Sequence, residues 1–387
     1  MKKHIKILII ISVISIFIGA ALMLGALLAL RNNASSVVTG LEFKESVYTI
    51  TDPFTNINIH TINSSIELLP SPDGICRIVC SDSEKLYHQI SVTESPSGSQ
   101  LNISQCEDWQ WFEMLYDLYR KDALSLLIYL PETEYTLLHA DSSSGNITIA
   151  PDFRFQTVNT YTSSGNTKIT TLDAETLSVC SLSGDLIVDD LEATQDIYLE
   201  SISGSKQIGN LTAVNVTVHG SSGHTFLENI TADTLHATSG SEDFLMTGSN
   251  FRNITYFETS NGSIEILDSN CGEQSLQTVS GNITLQKVNG NSLNIRTGSG
   301  AILIENALYN SNLLCTTTSG EILFSDLDAG TLELISSSGN ISGNLLSAKN
   351  FITGSSSGFT DIPPADETAG TCHIRTASGN INVAIKP

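Results

Sequence analysis

The chain has 387 residues, of which 40% are hydrophobic, a fraction too high for a disordered chain, and only 15% are charged. Its 41 acidic residues outnumber its 18 basic residues and give a formal net charge of −23. A surface this acidic repels phosphate groups, which excludes nucleic acid as a partner and opposes flat docking on anionic lipid headgroups.

The chain begins with a basic tip and a long apolar segment. Residues Ile7–Leu30 carry no charge, and as a helix they span about 36 Å, enough to cross a membrane. The apolar region of a secretory signal peptide is usually shorter, about 7–15 residues. We therefore predict that residues 1–31 are a cytoplasmic tip and a retained single-pass anchor in the cell membrane, with a cleaved signal as the alternative. Lysines before the segment place the amino terminus inside and the bulk of the chain outside.

Residues 32–140 are predicted to form an amino-terminal cap of degenerate repeats, in which Ser64 replaces the repeat glycine. Inside this cap, residues 107–122 contain both tryptophans, Trp109 and Trp111, and their aromatic residues have helical spacing. The insert is either a short helix that plugs the end of the fold or an exposed recognition element. The two tryptophans are therefore candidate ligand-binding residues.

The third predicted region, residues 141–387, is built from thirteen Ser-Gly repeats. Their glycines are Gly145, Gly165, Gly184, Gly204, Gly223, Gly240, Gly262, Gly281, Gly300, Gly320, Gly339, Gly358 and Gly379, the one at 262 following Asn instead of Ser. A regular period of about 20 residues indicates a solenoid. Apolar residues alternate on both sides of each glycine, which is strand periodicity. The sequence therefore predicts an all-β fold, a right-handed parallel β-solenoid (β-helix) of about 20-residue rungs, preceded by one transmembrane helix.

Each rung is expected to have one strand before the Ser-Gly turn and one strand after it, and to pair with the next rung of the chain. We expect the glycine to supply a backbone angle that other residues resist. Like residues stacked in register can form hydrogen-bonded ladders between rungs. A proline-rich segment at residues 361–365 precedes one last rung.

The position four residues before each glycine is expected to face solvent. Successive rungs place there Tyr161, Cys180, Glu200, His219, His236 and Glu258, and Tyr198 and Tyr256 lie two positions away on the same face. Tyrosine, histidine and carboxylate side chains suit glycan binding, so apart from the cysteine these are candidate ligand-binding residues. His219 and His236 could also hold zinc or a similar ion, but ordinary polar surface is the favoured interpretation, and we predict no metal site.

The sequence contains no nucleophile elbow, zinc-protease motif, P-loop or dinucleotide fingerprint. Carboxylates recur five or six residues after the glycines, at Asp189, Asp190, Glu228, Asp268, Glu305 and Asp326. Enzymes of the parallel β-helix type that cleave polysaccharides use such groups, but solvated turn residues are the simpler explanation. We predict that the protein is not an enzyme and that it uses no cofactor.

Seven scattered cysteines form no Cys-x-x-Cys pair, which excludes zinc-ribbon and thioredoxin-like sites. Their number is odd, so at least one has no partner within the chain. We expect most of them to be small apolar residues of a core.

The repeats resemble the bacterial putative-adhesin family, a family of β-strand-repeat proteins common in Gram-positive bacteria. The resemblance rests on units of the form S-[SL]-S-G-[ND]-[IL]-x-[IV], such as Ser142–Ile149 and Ser336–Ile341, and on Leu127–Pro131 and Tyr135 before the repeats. It covers about residues 40–387. It implies an anchored, extracytoplasmic β-solenoid with an adhesive or envelope role, and it supplies no catalytic residues.

The sequence as a whole predicts a membrane-anchored, extracytoplasmic β-solenoid that binds a glycan or protein of the cell surface or envelope. A sensory or regulatory protein of the envelope-stress response, binding another membrane protein, is the alternative. An exposed apolar stripe on Leu182, Ile202 and Val279 would favour that alternative. A polysaccharide-active β-helix enzyme is the third interpretation.

Overall fold

In a computed structural model, the structure describes residues 43–83, 86–96, 98–107 and 124–386. The predicted anchor Ile7–Leu30 and the tryptophans Trp109 and Trp111 lie outside these residues. Within the described ranges, no helix is long and apolar enough to cross a membrane.

The described residues form 29 β-strands. These are β1 (Lys44–Ile50), β2 (Asn56–Thr61), β3 (Ser64–Pro70), β4 (Cys76–Asp82), β5 (Leu86–Ser95), β6 (Gly98–Glu107), β7 (Leu124–Leu130), β8 (Glu134–Ser142), β9 (Ile147–Ile149), β10 (Phe153–Thr162), β11 (Thr167–Ser181), β12 (Leu186–Ala193), β13 (Asp196–Ser201), β14 (Lys206–Thr212), β15 (Asn215–Gly220), β16 (His224–Ser239), β17 (Asp243–Thr247), β18 (Asn250–Thr259), β19 (Ile264–Leu267), β20 (Asn270–Thr278), β21 (Ile283–Gln286), β22 (Asn289–Thr297), β23 (Ile302–Thr317), β24 (Ile322–Ser336), β25 (Ile341–Leu345), β26 (Asn350–Ser355), β27 (Thr360–Asp361), β28 (Thr371–Thr376) and β29 (Ile381–Ile385).

The chain divides into two compact units. Of the described residues, one unit contains 43–46, 81–83, 86–87 and 106–107, and the other contains 47–80, 88–96, 98–105 and 124–386. The second unit holds all the Ser-Gly repeats. The domain boundaries predicted at residues 31 and 140 stay predictions.

Two parallel sheets make up the repeats, as the sequence predicts. The inbound sheet, whose strands run into the Ser-Gly turns, has the order β6, β2, β8, β10, β11, β13, β15, β16, β18, β20, β22, β23, β24, β28 and β26. The outbound sheet, whose strands leave the turns, has the order β7, β3, β9, β11, β12, β14, β16, β17, β19, β21, β23, β24, β25, β29 and β27. The all-β solenoid with a spacing of about 20 residues is thus confirmed, and its right-handed sense stays a prediction.

The core lies between the two sheets and is made by alternate residues of each strand. Ile283 and Leu285 are fully buried, whereas Thr284 between them is half-buried. Ile283 stacks on Ile264 of the rung before and on Ile302 of the rung after. Because each rung buries its apolar side chains only against adjacent rungs, stability is a sum of local contributions.

The turn glycines are required by close packing between rungs. A Cβ atom on Gly300 would lie 1.7 Å from the carbonyl oxygen of Gly281, and most of the other turn glycines show the same approach. Among the turn glycines of the described chain, only Gly223 has a positive φ, of 132°. The expectation that glycine supplies an unusual backbone angle is therefore wrong at nearly every turn, because the constraint is space and not φ.

Hydrogen-bonded ladders connect the turns, as the sequence predicts. The Thr297 hydroxyl accepts a hydrogen bond from the Gly300 N–H at 3.0 Å and donates one to the Gly281 carbonyl of the preceding rung at 3.1 Å. On the other side of the glycine, the Ala301 N–H donates to the Asn282 Oδ1 at 2.9 Å. The same pair of contacts recurs along the sheet, which explains both the hydroxyl three residues before the glycine and the Asn or Asp after it.

Replacing Gly300 with alanine is expected to destabilise the fold by about 1–3 kcal/mol, because the added methyl group has to displace the backbone of the neighbouring rung. Gly354→Ala is the matched control, because a Cβ atom there meets nothing within 4 Å. The control should change stability by less than about 0.5 kcal/mol. Equal shifts of the two variants in a denaturation experiment would contradict the close-packing explanation.

Both ends of the stack depart from chain order. The last strands of the chain, β28 and β29, do not lie at the end of the stack but between the previous rung and the rung of β26 and β27. At the other end, β2 lies between β6 and β8, and β3 between β7 and β9. The prediction that every rung stacks on its predecessor is therefore wrong at the first and last rungs.

The pattern of apolar side chains explains why the last two rungs of the chain are stacked in reverse order at the carboxyl end. β28 offers the fully buried Cys372 and Ile374 to the core, whereas the paired positions in β26 are Phe351 and the polar Thr353. The outbound strand of that rung, β27, has only two residues. The rung of β28 and β29 is therefore paired on both sides. The rung of β26 and β27, which buries less apolar surface, forms the edge of the stack, and a short edge strand is common in natural sheets.

Candidate functional site

Two columns of outward side chains run next to each other along the inbound sheet. The first contains Tyr161, Cys180, Glu200, His219, Thr238 and Glu258 in successive rungs. The second contains Ser178, Tyr198, Thr217, His236, Tyr256 and Ser275. We call the part that holds Tyr198, Glu200, His219, His236, Tyr256 and Glu258 the tyrosine–glutamate face.

The two histidines are not neighbours in one column, which corrects the predicted register. His219 pairs with Thr238, and His236 pairs with Thr217 and Tyr256 in the other column. The error comes from Gly240, which does not occupy the turn position of its rung. Glu242 occupies it, because its carbonyl oxygen lies against Gly262 and accepts a hydrogen bond from the Thr259 hydroxyl at 3.2 Å.

A tyrosine–glutamate hydrogen bond occurs twice on this face. The Tyr198 hydroxyl donates to the Glu200 Oε2 at 2.9 Å, and the Tyr256 hydroxyl donates to the Glu258 Oε2 at 2.6 Å. Burial, and then the bond to the carboxylate, raise the pKa of both tyrosines to about 12. Both phenols therefore stay protonated at neutral pH, and each holds its ring and its carboxylate in a fixed relation.

The histidines are also held in place by their neighbours. The rings of His236 and Tyr256 are stacked with their centroids 4.7 Å apart and their planes 7° apart. The Nδ1 atom of His219 is 2.8 Å from the Thr238 hydroxyl. This arrangement presents flat aromatic surfaces bordered by hydrogen-bonding groups, which is the chemistry of a binding surface.

Tyr161 lies farther along the first column and is 39% exposed, close to the 37% of Tyr198. Cys180 separates it from Glu200 in the register. Burial raises the pKa of the Cys180 thiol, so this residue is not poised as a thiolate nucleophile. The structure thus brings six of the predicted residues together on one face, with Tyr161 two rungs away and both tryptophans outside the described residues.

The carboxylates behind the enzyme interpretation lie at the other corner of the rungs. Asp190, Asp268 and Asp326 have left-handed backbone conformations, with φ of 54°, 45° and 52°, a conformation that Asp and Asn adopt more readily than most residues. Several of these carboxylates bond to an adjacent rung. The Thr171 hydroxyl, for example, donates to the Asp190 Oδ2 at 3.0 Å, and the Lys287 Nζ lies 3.1 Å from the Asp268 Oδ1. These contacts give the carboxylates a structural role in the turn.

Sequence reasoning missed an ion pair inside the solenoid. The Nζ atom of Lys206 lies 2.6 Å from the Oε1 atom of Glu242, and both side chains are fully buried. The Thr225 hydroxyl donates to the Glu242 Oε2 at 2.8 Å, and the Lys206 Nζ also donates to the Ser201 carbonyl at 3.3 Å. Gly220 makes room for the pair, because a Cβ atom there would lie 1.9 Å from the Glu242 Oε1.

Three signals in the sequence point to this pair. Lys206 stands two residues after its glycine, where most rungs have an apolar residue. The spacings of 17 and 22 residues on either side of Gly240 become 19 and 20 when Glu242 takes its place. Gly220 is a third signal, because other rungs have Ser or Thr at that position.

The cysteines are largely core residues, as expected. Five of the seven are buried, namely Cys76, Cys80, Cys271, Cys315 and Cys372. Burial raises the pKa of Cys76, Cys271 and Cys372 to about 12. These thiols are therefore protonated and unreactive at neutral pH.

Exposed apolar residues do occur at the turns, but they do not form one stripe. Leu182 is 47% exposed and Val279 is 64% exposed. Ile202 follows Leu182 in the next rung, whereas Ser221 and Ser260 lie in the rungs between Ile202 and Val279. The continuous stripe that would favour a docked membrane protein is therefore interrupted by polar residues.

The sequence model of the Toastrack DUF4097 family matches residues 54–241 and 215–383, two overlapping ranges that together span most of the chain. The chain belongs to this family. The predicted resemblance to a family of adhesin-like proteins is thereby confirmed. The two Toastrack matches share residues 215–241, the region that contains Gly220 and His236.

Two solved structures are similar to this Toastrack chain at low identity. One is a putative cell adhesion protein from Clostridium sporogenes, 8% identical, with 89% of this chain and 100% of that chain covered and a TM-score of 0.18. The other is a putative adhesin from Bacteroides fragilis, 12% identical, with 89% and 97% covered and a TM-score of 0.23. At these TM-scores neither similarity bears on the function of this chain. No curated protein matches the sequence.

Proposed function

We propose that this Toastrack protein is a non-catalytic surface binding protein, adhesin-like, that engages a ligand of the cell surface or envelope through its tyrosine–glutamate face. One observation carries the proposal, namely the repeated tyrosine–glutamate pair with the stacked His236 between its two copies. Tyr198 and Tyr256 are partly exposed and are held in place by hydrogen bonds, and aromatic rings dominate the energetics of binding surfaces.

Anchoring in the cell membrane, with the repeats outside, is part of the proposal. Its support is the charge-free segment Ile7–Leu30, with lysines before it. The solenoid would then project from the membrane as a scaffold that carries the face. The acidic surface favours ligands that are neutral or positively charged.

The regulatory and enzymatic alternatives have less support from the described residues. The apolar positions at the turns are interrupted by serine, and several carboxylates of the second corner bond to neighbouring rungs. An interrupted stripe and carboxylates bonded to other rungs are weaker support than the paired aromatic residues of the tyrosine–glutamate face. The binding function is therefore the one that the geometry supports best.

Binding to intact cells tests this function together with its topology. Cells that produce the full-length chain should capture fluorescent fragments of bacterial cell envelope, and Tyr198→Ala/Tyr256→Ala should reduce the capture at least about tenfold, because two aromatic anchors are lost. Ile187→Ala is the matched control, since Ile187 is exposed on the outbound sheet. Equal capture by all three proteins would overturn the proposed face.

A further inference from the structure

The aromatic column of the inbound sheet contains a gap of one ring. Tyr198, Thr217, His236 and Tyr256 follow one another in register across four adjacent strands. His236 and Tyr256 fill neighbouring rungs and stack face to face at 4.7 Å. Between Tyr198 and His236, however, the rung offers only the small side chain of Thr217.

We propose that this gap, the Thr217 slot, binds one pyranose ring of a neutral or amino-sugar glycan, stacked between Tyr198 and His236. The proposal rests on the proposed binding function and names its ligand class. It assigns one subsite of the tyrosine–glutamate face to one sugar ring.

The width of the slot follows from the strand spacing. Neighbouring strands lie about 4.8 Å apart, so the backbones at Tyr198 and His236 are separated by about 10 Å. The observed stack of His236 on Tyr256 shows that one rung corresponds to one ring-to-ring distance on this face. Two rungs therefore accommodate one inserted ring with a ring packed on each of its faces.

The slot is bordered on one side by the ring of Tyr198 and on the other by the ring of His236, and contacts with neighbouring residues hold both rings. Tyr198 bonds to the glutamate two residues later, as Tyr256 does, so both rings lean along their strands in the same direction. The ring of His236 is nearly parallel to that of Tyr256. Tyr198 and His236 thus stand on opposite sides of the space above Thr217.

The rim of the slot is polar. Next to Tyr198, Thr217 and His236 in the first column lie Glu200, His219 and Thr238, each two residues along the same strand. His219 uses Nδ1 toward Thr238, and its Nε2 makes no hydrogen bond within the described residues. A pyranose has apolar faces and hydroxyl groups around its edge, which matches apolar walls and a hydrogen-bonding rim. A phenylalanine ring from a protein would leave this rim unsatisfied.

Charge selects among sugars. Glu200 borders the slot, Glu258 lies one rung beyond His236 in the first column, and the chain carries a formal charge of −23. An acidic sugar, with a carboxylate or a phosphate, would be repelled, whereas a neutral sugar would be tolerated and a protonated amino sugar would be attracted.

Calorimetric titration of the full-length chain in lipid nanodiscs tests the slot, since glucoside and maltoside detergents would themselves supply a pyranose. The probes are the trisaccharides of N-acetylglucosamine, glucosamine and galacturonic acid. We expect binding of the first two and at least about tenfold weaker binding of the third. Thr217→Phe fills the slot with a protein ring and should weaken binding of both sugars about tenfold or more.

Ser275→Phe is the matched control, because Ser275 is half-buried in the same column, on the far side of Tyr256. Ser275→Phe adds a ring of the same size outside the slot and should leave the affinity for the sugars unchanged.

The Thr217 slot would be overturned by failure of the wild-type chain to bind the neutral and amino trisaccharides, by equal binding of the acidic one, or by equal effects of the two phenylalanine variants. If Thr217→Phe keeps envelope capture while Tyr198→Ala/Tyr256→Ala loses it, the slot is wrong and the proposed face stands. If neither variant changes capture, both are wrong.

Discussion

Truncation of Glu242 to alanine is expected to destabilise the middle of the solenoid by about 3–5 kcal/mol, because it leaves the Lys206 ammonium buried without its counter-ion. Burial already lowers the pKa of Lys206, and the hydrogen bond to Glu242 opposes that shift. The Thr225 hydroxyl also loses its acceptor. Hydrogen exchange should show the loss of protection centred on β14, β15, β16 and β17, which surround the pair.

The double variant Lys206→Met/Glu242→Met is the control for this prediction. Replacing both members of a buried pair by apolar residues of similar size is often neutral or stabilising. We therefore expect the double variant to recover most of the stability lost in Glu242→Ala. A double variant as unstable as the single one would show that the charges themselves are not what matters at this site.

A charge in the last inbound strand of the chain should release the rung that lies outside it. Ile374→Asp places a carboxylate at a fully buried position of β28, with an expected cost of about 4 kcal/mol or more. Within the described residues β26 pairs only with β28, so hydrogen exchange of β26 should accelerate together with that of β28. If the rungs were stacked in chain order, β26 would pair with β24, and its hydrogen exchange would stay slow in Ile374→Asp.

Arg375→Gln serves as the control for this experiment, because Arg375 is the next residue of the same strand and is exposed. It should leave the exchange of β26 unchanged. Protection of β26 in Ile374→Asp, with β28 exchanging freely, would contradict the observed order of the last rungs.

The architecture could be predicted from sequence because its determinants are local and repeated. The alternation around residues such as Ile283 sets which side chains face the core. The hydroxyl and amide ladders follow from like residues at equal spacing, as at Thr297 and Asn282. The 20-residue period therefore predicts both the strands of the two sheets and the turns that connect them.

The register of the histidines could not be predicted by counting from Ser-Gly alone. Gly240 follows a serine, as the other turn glycines but one do, yet the stacked position belongs to Glu242, which is held by its pairing with Lys206. A contact between residues 36 positions apart overrode a local motif. The observed register places His236 next to Tyr256 and opens the Thr217 slot.

The reversed order of the rungs at the two ends of the stack also could not be predicted from the local sequence pattern. Strands β26 and β28 both have strand periodicity, and sequence order favours the earlier one as the inner rung. The difference lies in how much apolar surface each can bury, which depends on the rung against which it packs. Phe351 with Thr353 is a poorer match for the core than Cys372 with Ile374.

Hydroxyl-radical footprinting of the full-length chain, with and without solubilised bacterial envelope glycan, tests the central claim most directly. We predict that bound glycan lowers the labelling of Tyr198, His236 and Tyr256 together, while Phe359, exposed in the outermost rung of the carboxyl end, is labelled as before. Unchanged labelling of the three rings in the presence of bound glycan, or protection confined to the outbound sheet, would contradict the assignment of the tyrosine–glutamate face as the binding surface.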